Sequence, residues 1–378
     1  MSDMQQAQPQ SMISPAAKRT IAIVDSHHAH REELHNALMP FYDVSSYDDG
    51  KAAIKAMLVS PPSVILASEH IEPANCINFM RGVRAERPLH DVPILHILDS
   101  ESFQMIADAK GAGATSYIIK PYRRSELVNR ITGFMNASVE SEWLALPTMQ
   151  RKALQGTVAT FQSIADVIMS GEIVDFSSIK ESCEPLVQAI ENNDFKSILN
   201  GVKSHDDYTY AHSMRVATLL SLLGHAAGFK KDEQLLLASG GLLHDVGKMM
   251  IPHNVLNKPG RLTEEEFEII KTHVPETMKY LDTQENIPQA VKIIAEQHHE
   301  KLNGMGYPHG LKGAELNELA RMAAVVDVFS ALTDRRVYKA EMAPDKALHI
   351  MTEEMTGHLD QNYIKLFRTI LVDAKILE

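Results

Sequence analysis

From Thr20 to about Asn136, short and nearly continuous apolar runs alternate with stretches whose apolar residues recur every three or four positions. The runs at 20–25, 42–47, 64–68, 93–98 and 116–120 read as strands. The periodic stretches at 31–39, 51–58, 76–83, 103–110 and 125–134 read as helices. Five such strand–helix units with apolar strands predict a parallel sheet covered on both faces. Ligands of such sheets gather at the carboxyl ends of the strands, here Asp25, Ser68, Leu98 and Lys120. From 139 to 204 the pattern is helical, broken once at Ser170-Gly171, and Leu154, Val158, Phe161, Ile164 and Ile168 form one apolar stripe. From 205 to 378 the sequence is almost entirely helix-forming, which predicts an all-α second domain.

Composition narrows the picture. The 378 residues allow two or three domains. A net charge of -12 argues against a broad nucleic-acid or membrane-binding surface. No apolar run approaches the roughly 18 residues of a membrane span. Residues 1–18, rich in Gln, Ser and Pro, read as a disordered leader rather than a signal peptide. The two cysteines, Cys76 and Cys183, fall in different units, so no disulfide is expected and a cytoplasmic setting fits.

Chemistry concentrates in the second half. His212 lies ahead of a buried stripe formed by Val216, Leu219, Leu220 and Leu223, with Thr209 as an expected N-cap. His244 and Asp245 are adjacent on an expected helix, about 100° apart, with Lys248 one turn after His244. His273 follows a capping-box pattern from Thr263 to Glu266. His298-His299-Glu300 runs into the glycine-containing loop Gly304-Met305-Gly306-Tyr307-Pro308. Asp327 is embedded in Val325-Val326 and Val328-Phe329, where an unpartnered carboxylate is costly. Five imidazoles and two carboxylates exceed the needs of one tetrahedral ion and point to two metals. Mixed nitrogen and oxygen donors suit Fe, Mn or Zn. A carboxylate such as Asp245 has two oxygens with which to bridge them, and Lys248 can reach a substrate phosphate.

The residues of the first half, Asp25 ending the first strand, Gly111-Ala112, and Tyr117-Ile118-Ile119-Lys120-Pro121, resemble a response-regulator receiver, a flavodoxin-like (βα)5 domain. The resemblance implies phosphorylation on an Asp at the end of the third strand, where this chain has Ser68. Ser26 and Leu98 replace two further residues of the receiver pattern. A hydroxyl cannot form the acyl phosphate, and one carboxylate makes a weak Mg²⁺ site, so 19–138 is expected to be a pseudo-receiver.

The second half resembles an HD-GYP domain of the HD phosphohydrolase superfamily. His244-Asp245, Gly247-Lys248, Lys258-Pro259-Gly260, His298-His299-Glu300, Gly304, Gly306-Tyr307-Pro308 and Asp327 carry the likeness. It implies a metal-dependent phosphodiesterase that hydrolyses cyclic di-GMP to pGpG, in some cases on to GMP. It further implies metal ligation by His212, His244, Asp245, His273, His298, His299 and Asp327, with His244, Asp245 and Lys248 in the chemistry. Lys248, Arg336, Lys339 and the Gly306-Tyr307-Pro308 loop are the implied substrate contacts. The loop is also an expected surface for signalling partners such as diguanylate cyclases.

Two departures stand out. Asn303 replaces an Asp, and Tyr208 occupies the place of a Glu that supports a third metal, so a two-metal site is expected. The stretch 139–204 is expected as a helical connector ahead of a 205–378 HD-GYP domain, and as a homodimer surface. The alternative function is a catalytically weak regulator that binds cyclic di-GMP or a protein partner.

Overall fold

The computed structural model describes residues 19–377, apart from 40–41, 74, 123, 171–174, 204, 206, 257, 259, 285 and 335–341. The expected leader and the expected phosphate contacts Arg336 and Lys339 lie outside the described residues. The chain divides into two compact units, 1–134 and 135–378.

In the first unit, strands β1 (Thr20–Val24), β2 (Asp43–Tyr47), β3 (Val64–Ser68), β4 (Ile94–Leu98) and β5 (Ser116–Ile119) form one parallel sheet in the order β2-β1-β3-β4-β5. The mostly apolar runs of β3 and β4 lie inside the sheet and are buried throughout, Ser68 and His96 included, whereas β2 and β5 are half-exposed edges. Helices α1 (His28–Leu38), α2 (Gly50–Val59), α3 (Cys76–Ala85) and α4 (Phe103–Gly111) connect the strands. Asp49, Asn75 and Ser102 N-cap α2, α3 and α4, each side chain accepting an amide of the first turn. The last helix of the unit, α5 (Arg124–Glu142), extends well past the 125–134 read from periodicity.

The second unit is helical among the described residues. It comprises α6 (Thr148–Ser170), α7 (Phe176–Glu191), α8 (Lys196–Lys203), α9 (Tyr208–Ala226), α10 (Lys231–Leu243), α11 (His253–Leu256), α12 (Glu264–Lys271), α13 (His273–Thr283), α14 (Gln289–Gln297), α15 (Glu318–Thr333), α16 (Pro344–Glu353) and α17 (Gln361–Asp373). Helices α9 and α15 are apolar nearly all round and sit in the middle of the core.

The stretch read as a connector shares that core. Leu154, Val158, Phe161 and Ile164 of α6 are buried by their own chain, in one cluster with α7, α9 and α10. The stripe offered as a dimer surface is therefore covered by the neighbouring helices; Ile168 lies beyond what can be described. Trp143, the single tryptophan, anchors this layer by donating Nε1–H to Gly201 O (2.9 Å) and stacking on His205. Both cysteines are buried and free. No helix of the described residues is long and apolar enough to cross a membrane.

Candidate metal centre

Three of the expected ligand histidines stand just past the C-terminal ends of helices, where the last carbonyls lack intrahelical partners. His244 follows α10 and its Nδ1–H donates to Gly241 O at 2.8 Å. His298 follows α14 and donates to Ala295 O at 2.9 Å. His273, two residues after α12, donates to Ile270 O at 2.7 Å. Each carbonyl fixes the tautomer, so each ring presents an Nε2 lone pair inward. Those three Nε2 atoms and Asp245 Oδ1 are buried without a hydrogen bond.

The lone pairs converge on Asp245. His273 Nε2 lies 3.2 Å and His298 Nε2 3.8 Å from its Oδ1, while His244 Nε2 lies 3.2 Å and His212 Nε2 3.6 Å from its Oδ2. Two groups of ligand atoms emerge, each compact enough for one ion: Asp245, His273, His298 and His299; and His212, His244 and Asp245. Asp245 belongs to both. Asp327, on α15, stands between them with Oδ1 2.9 Å from His212 Nε2 and Oδ2 3.7 Å from His299 Nδ1. Buried orphan nitrogens around a shared carboxylate fit a pair of divalent cations, because such atoms are otherwise costly.

The local backbone differs from the sequence reading in two places. Helix α10 stops at Leu243, and Asp245 has φ −110° and ψ 6°, so His244 and Asp245 form a turn into a 3-10 segment (Val246–Met250) rather than a helical pair. The turn allows Gly247 to lie against α13: a Cβ there would fall 2.1 Å from His273 O. Asp207, not Thr209, caps α9, its side chain accepting from Tyr210 N. His273 is fully buried. The capping box from Thr263 to Glu266 is present as expected.

Electrostatics divides the cluster. Burial pushes His298 far below the usual imidazole range, helped by the neighbouring His299 and His244. Burial likewise pushes His299 down, to about 3. Burial also opposes a charge on His244, but Asp245 and Asp327 overcome it and raise that ring to about 9. Asp245 and Asp327 are held well below the carboxylate range; burial opposes this, and His244 with Lys248 outweighs it for Asp245, His212 with His244 for Asp327. The Lys248 ammonium donates to Asp245 Oδ2 at 2.5 Å, reached from three residues away along the 3-10 turn.

Sequence reasoning missed the residues behind the ligands. His212 Nδ1 is 2.9 Å from Asp334 Oδ2, and Asp334 Oδ1 accepts from Arg215 at 2.8 Å, which also donates to Thr333. Buried Glu300 accepts the backbone N–H groups of His309, Gly310 and Leu311 at 2.6 to 3.0 Å, fixing the loop after Tyr307. Gly306 passes so close that a Cβ would sit 2.4 Å from Glu300 Cα. Tyr307 itself packs on His299, ring centroids 4.7 Å apart. Asn303 turns its side-chain oxygen onto Met305 N (3.0 Å), so the amide closes its own loop. Tyr208 stacks on His212 at 5.8 Å. Asp334, beside two arginines, looks like an ordinary surface charge in the sequence.

At the carboxyl ends of the sheet, Asp25 is fully buried and its Oδ2 lies 2.5 Å from His30 Nδ1. His30 Nε2 continues to the Tyr122 hydroxyl at 2.9 Å. Ser68 Oγ accepts from His70 N, Glu69 accepts from Asp99 N, and Lys120 pairs with Asp99 at 2.8 Å. An imidazole thus occupies one oxygen of the Asp25 carboxylate.

Comparison with known families agrees with both halves. The HD domain family matches residues 196–363 and the response regulator receiver domain family matches residues 21–132. The chain is 38% identical over 168 residues to cyclic di-GMP phosphodiesterase PA4108 of Pseudomonas aeruginosa, covering 44% of this chain and 40% of that protein. It is 27% identical over 332 residues to the cyclic di-GMP phosphodiesterase response regulator RpfG of Xanthomonas campestris pv. campestris, covering 87% and 81%. It is 38% identical over 163 residues to 3'3'-cGAMP-specific phosphodiesterase 1 of Vibrio cholerae, covering 43% and 37%. The chain spans less than half the length of the Pseudomonas and Vibrio relatives. The two matches give the chain an N-terminal response regulator receiver domain followed by an HD domain.

Proposed function

We propose that the protein is a metal-dependent phosphodiesterase that opens cyclic di-GMP to pGpG. The observation that carries this reading is Asp245 shared between two ligand groups whose imidazole Nε2 atoms are buried and unbonded. Asp245, His273, His298 and His299 would hold one ion, and His212, His244, Asp245 and Asp327 the other, with Fe or Mn favoured and Zn also compatible with the donors. Bound there, two divalent ions supply the charge that activates water and offsets negative charge developing on the phosphoryl oxygens.

The chain's own groups do the remainder. Lys248 is the cation beside the shared carboxylate and faces a phosphodiester docked on the centre. Tyr307 walls the His299 side and limits water there. Glu300 holds the following backbone so that the Gly306–Pro308 turn keeps its shape. Asn303 supports the same loop through its side-chain oxygen.

The receiver domain acts by contact rather than by phosphorylation, since Ser68 stands at the acceptor position and His30 engages Asp25. Incubation with acetyl phosphate and Mg²⁺ adds no phosphoryl mass to the intact protein under this reading. A homodimer, and signalling proteins docking at the loop around Tyr307, belong to the same picture of a regulated cytoplasmic enzyme; sedimentation of the purified chain tests the first.

The principal test is product analysis with protein loaded with Mn²⁺ or Fe²⁺. Cyclic di-GMP is expected to yield pGpG, and His244→Ala or Asp245→Ala to abolish turnover. Cyclic di-GMP left intact by the loaded protein defeats the proposal. The 38% identity to a 3'3'-cGAMP-specific enzyme favours a second substrate. Parallel assays with both cyclic dinucleotides decide between them.

A further inference from the structure

Outside the ligand set, one group of side chains near the centre stands partly open to solvent. Helix α12 contributes no buried residue, yet its Phe267 ring is 46% exposed and lies edge-on to Tyr307, centroids 6.3 Å apart at 87°. Lys271, one turn later, places Nζ 5.4 Å from the Phe267 centroid and 5.8 Å from that of Tyr307. The same ammonium pairs with Glu268, so it is held in place rather than swinging freely. His299, Tyr307 and Phe267 therefore form a continuous run of rings from the ligand cluster out to solvent.

We infer that Phe267, with Lys271, forms the stacking platform for one base of the cyclic dinucleotide. This rests on the phosphodiesterase reading above. An aromatic residue left nearly half exposed suits a flat π-system, and a purine supplies one on every base of such a substrate. The cation beside two ring faces is the arrangement that strengthens stacking near a phosphate. The ring run sets direction: a phosphodiester on the metal ligands leaves its nucleoside pointing along Tyr307 toward Phe267. The assignment makes Phe267 a specificity-determining residue that acts on binding, not on bond breaking.

The test compares two substrates on the metal-loaded full chain: cyclic di-GMP, and ethylene phosphate, a strained cyclic diester with neither a base nor any other aromatic ring. Phe267→Ala is expected to raise KM for cyclic di-GMP roughly ten- to hundred-fold, the range of one lost base stack. Turnover of the base-free diester stays unchanged, and Phe267→Trp restores a low KM. Because α12 buries none of its side chains, folding is not at stake, and circular dichroism checks this directly. An unchanged KM in Phe267→Ala overturns the platform while leaving the phosphodiesterase reading intact. Equal losses on both substrates also overturn it, since stacking cannot affect a diester that lacks a base. Wild-type protein that cleaves the base-free diester but not cyclic di-GMP overturns both the platform and the proposed substrate.

Discussion

Replacing Asp334 by alanine separates the two halves of the metal centre. In the structure its carboxylate accepts from His212 Nδ1 at 2.9 Å and is itself anchored by Arg215 at 2.8 Å. His212 is the one ligand histidine of its group whose tautomer depends on a side chain; His244 is aimed by Gly241 O. Removing the carboxylate frees the ring to rotate or switch tautomer. Losing such a supporting partner costs about 10- to 100-fold in metal affinity, or about 1.4 to 2.7 kcal/mol. The loss falls on the His212–His244–Asp245 group and spares the group containing His273, His298 and His299. Titration of metal-free protein against a competing chelator should therefore become biphasic in Asp334→Ala, with one weakened ion. Asp334→Asn retains an acceptor oxygen and loses only the charge, so its penalty should be the smaller. Unchanged affinity for both ions in Asp334→Ala would refute the argument.

Three further outcomes follow from the geometry. Because Asp245 and Asp327 hold His244 protonated up to about 9, loading that site must expel a proton. Apparent metal affinity should then fall at least tenfold per pH unit as pH drops from 8.5 to 6.5, with His212, raised by Asp327 and Asp334 against its burial, adding to the slope and the already neutral His298 and His299 adding none; a flat profile counts against it. Glu300→Gln removes a carboxylate that serves three amides, at a cost of about 1 to 3 kcal/mol. Hydrogen exchange at 309–311 should quicken, and unchanged protection would contradict the role. Gly247→Ala drives a methyl into His273 O and should lower stability by about 1 to 3 kcal/mol or more in thermal unfolding, since backbone cannot yield as a side chain can.

The architecture was largely legible because it rests on periodicity. The apolar runs at β3 and β4 could only be central parallel strands, and the all-round apolar α9 and α15 could only be core. Boundaries were less so. Asp207 and Thr209 are both competent caps two residues apart, and only the path of the chain into α9 selects the former. The α6 stripe announced burial but not what covers it, and the cover is its own neighbours. Of the candidate site, the seven positions expected as ligands were singled out by their chemistry and by resemblance, and the structure brings them together. Their aiming was not legible, because a backbone carbonyl at a helix end has no letter in the sequence. Asp334 and Arg215 escaped for a different reason: charged residues pairing across 119 positions leave no local pattern.

The three histidines at helix ends carry a consequence for how the centre can change over time. A backbone carbonyl persists through almost any substitution, so the aim of His244, His273 and His298 survives drift in the side chains around them. His212 has no such insurance, since its orientation is borrowed from Asp334. The centre thus has an inherited half and an adjustable half. Selection acting on metal occupancy can work through the second without disturbing the first.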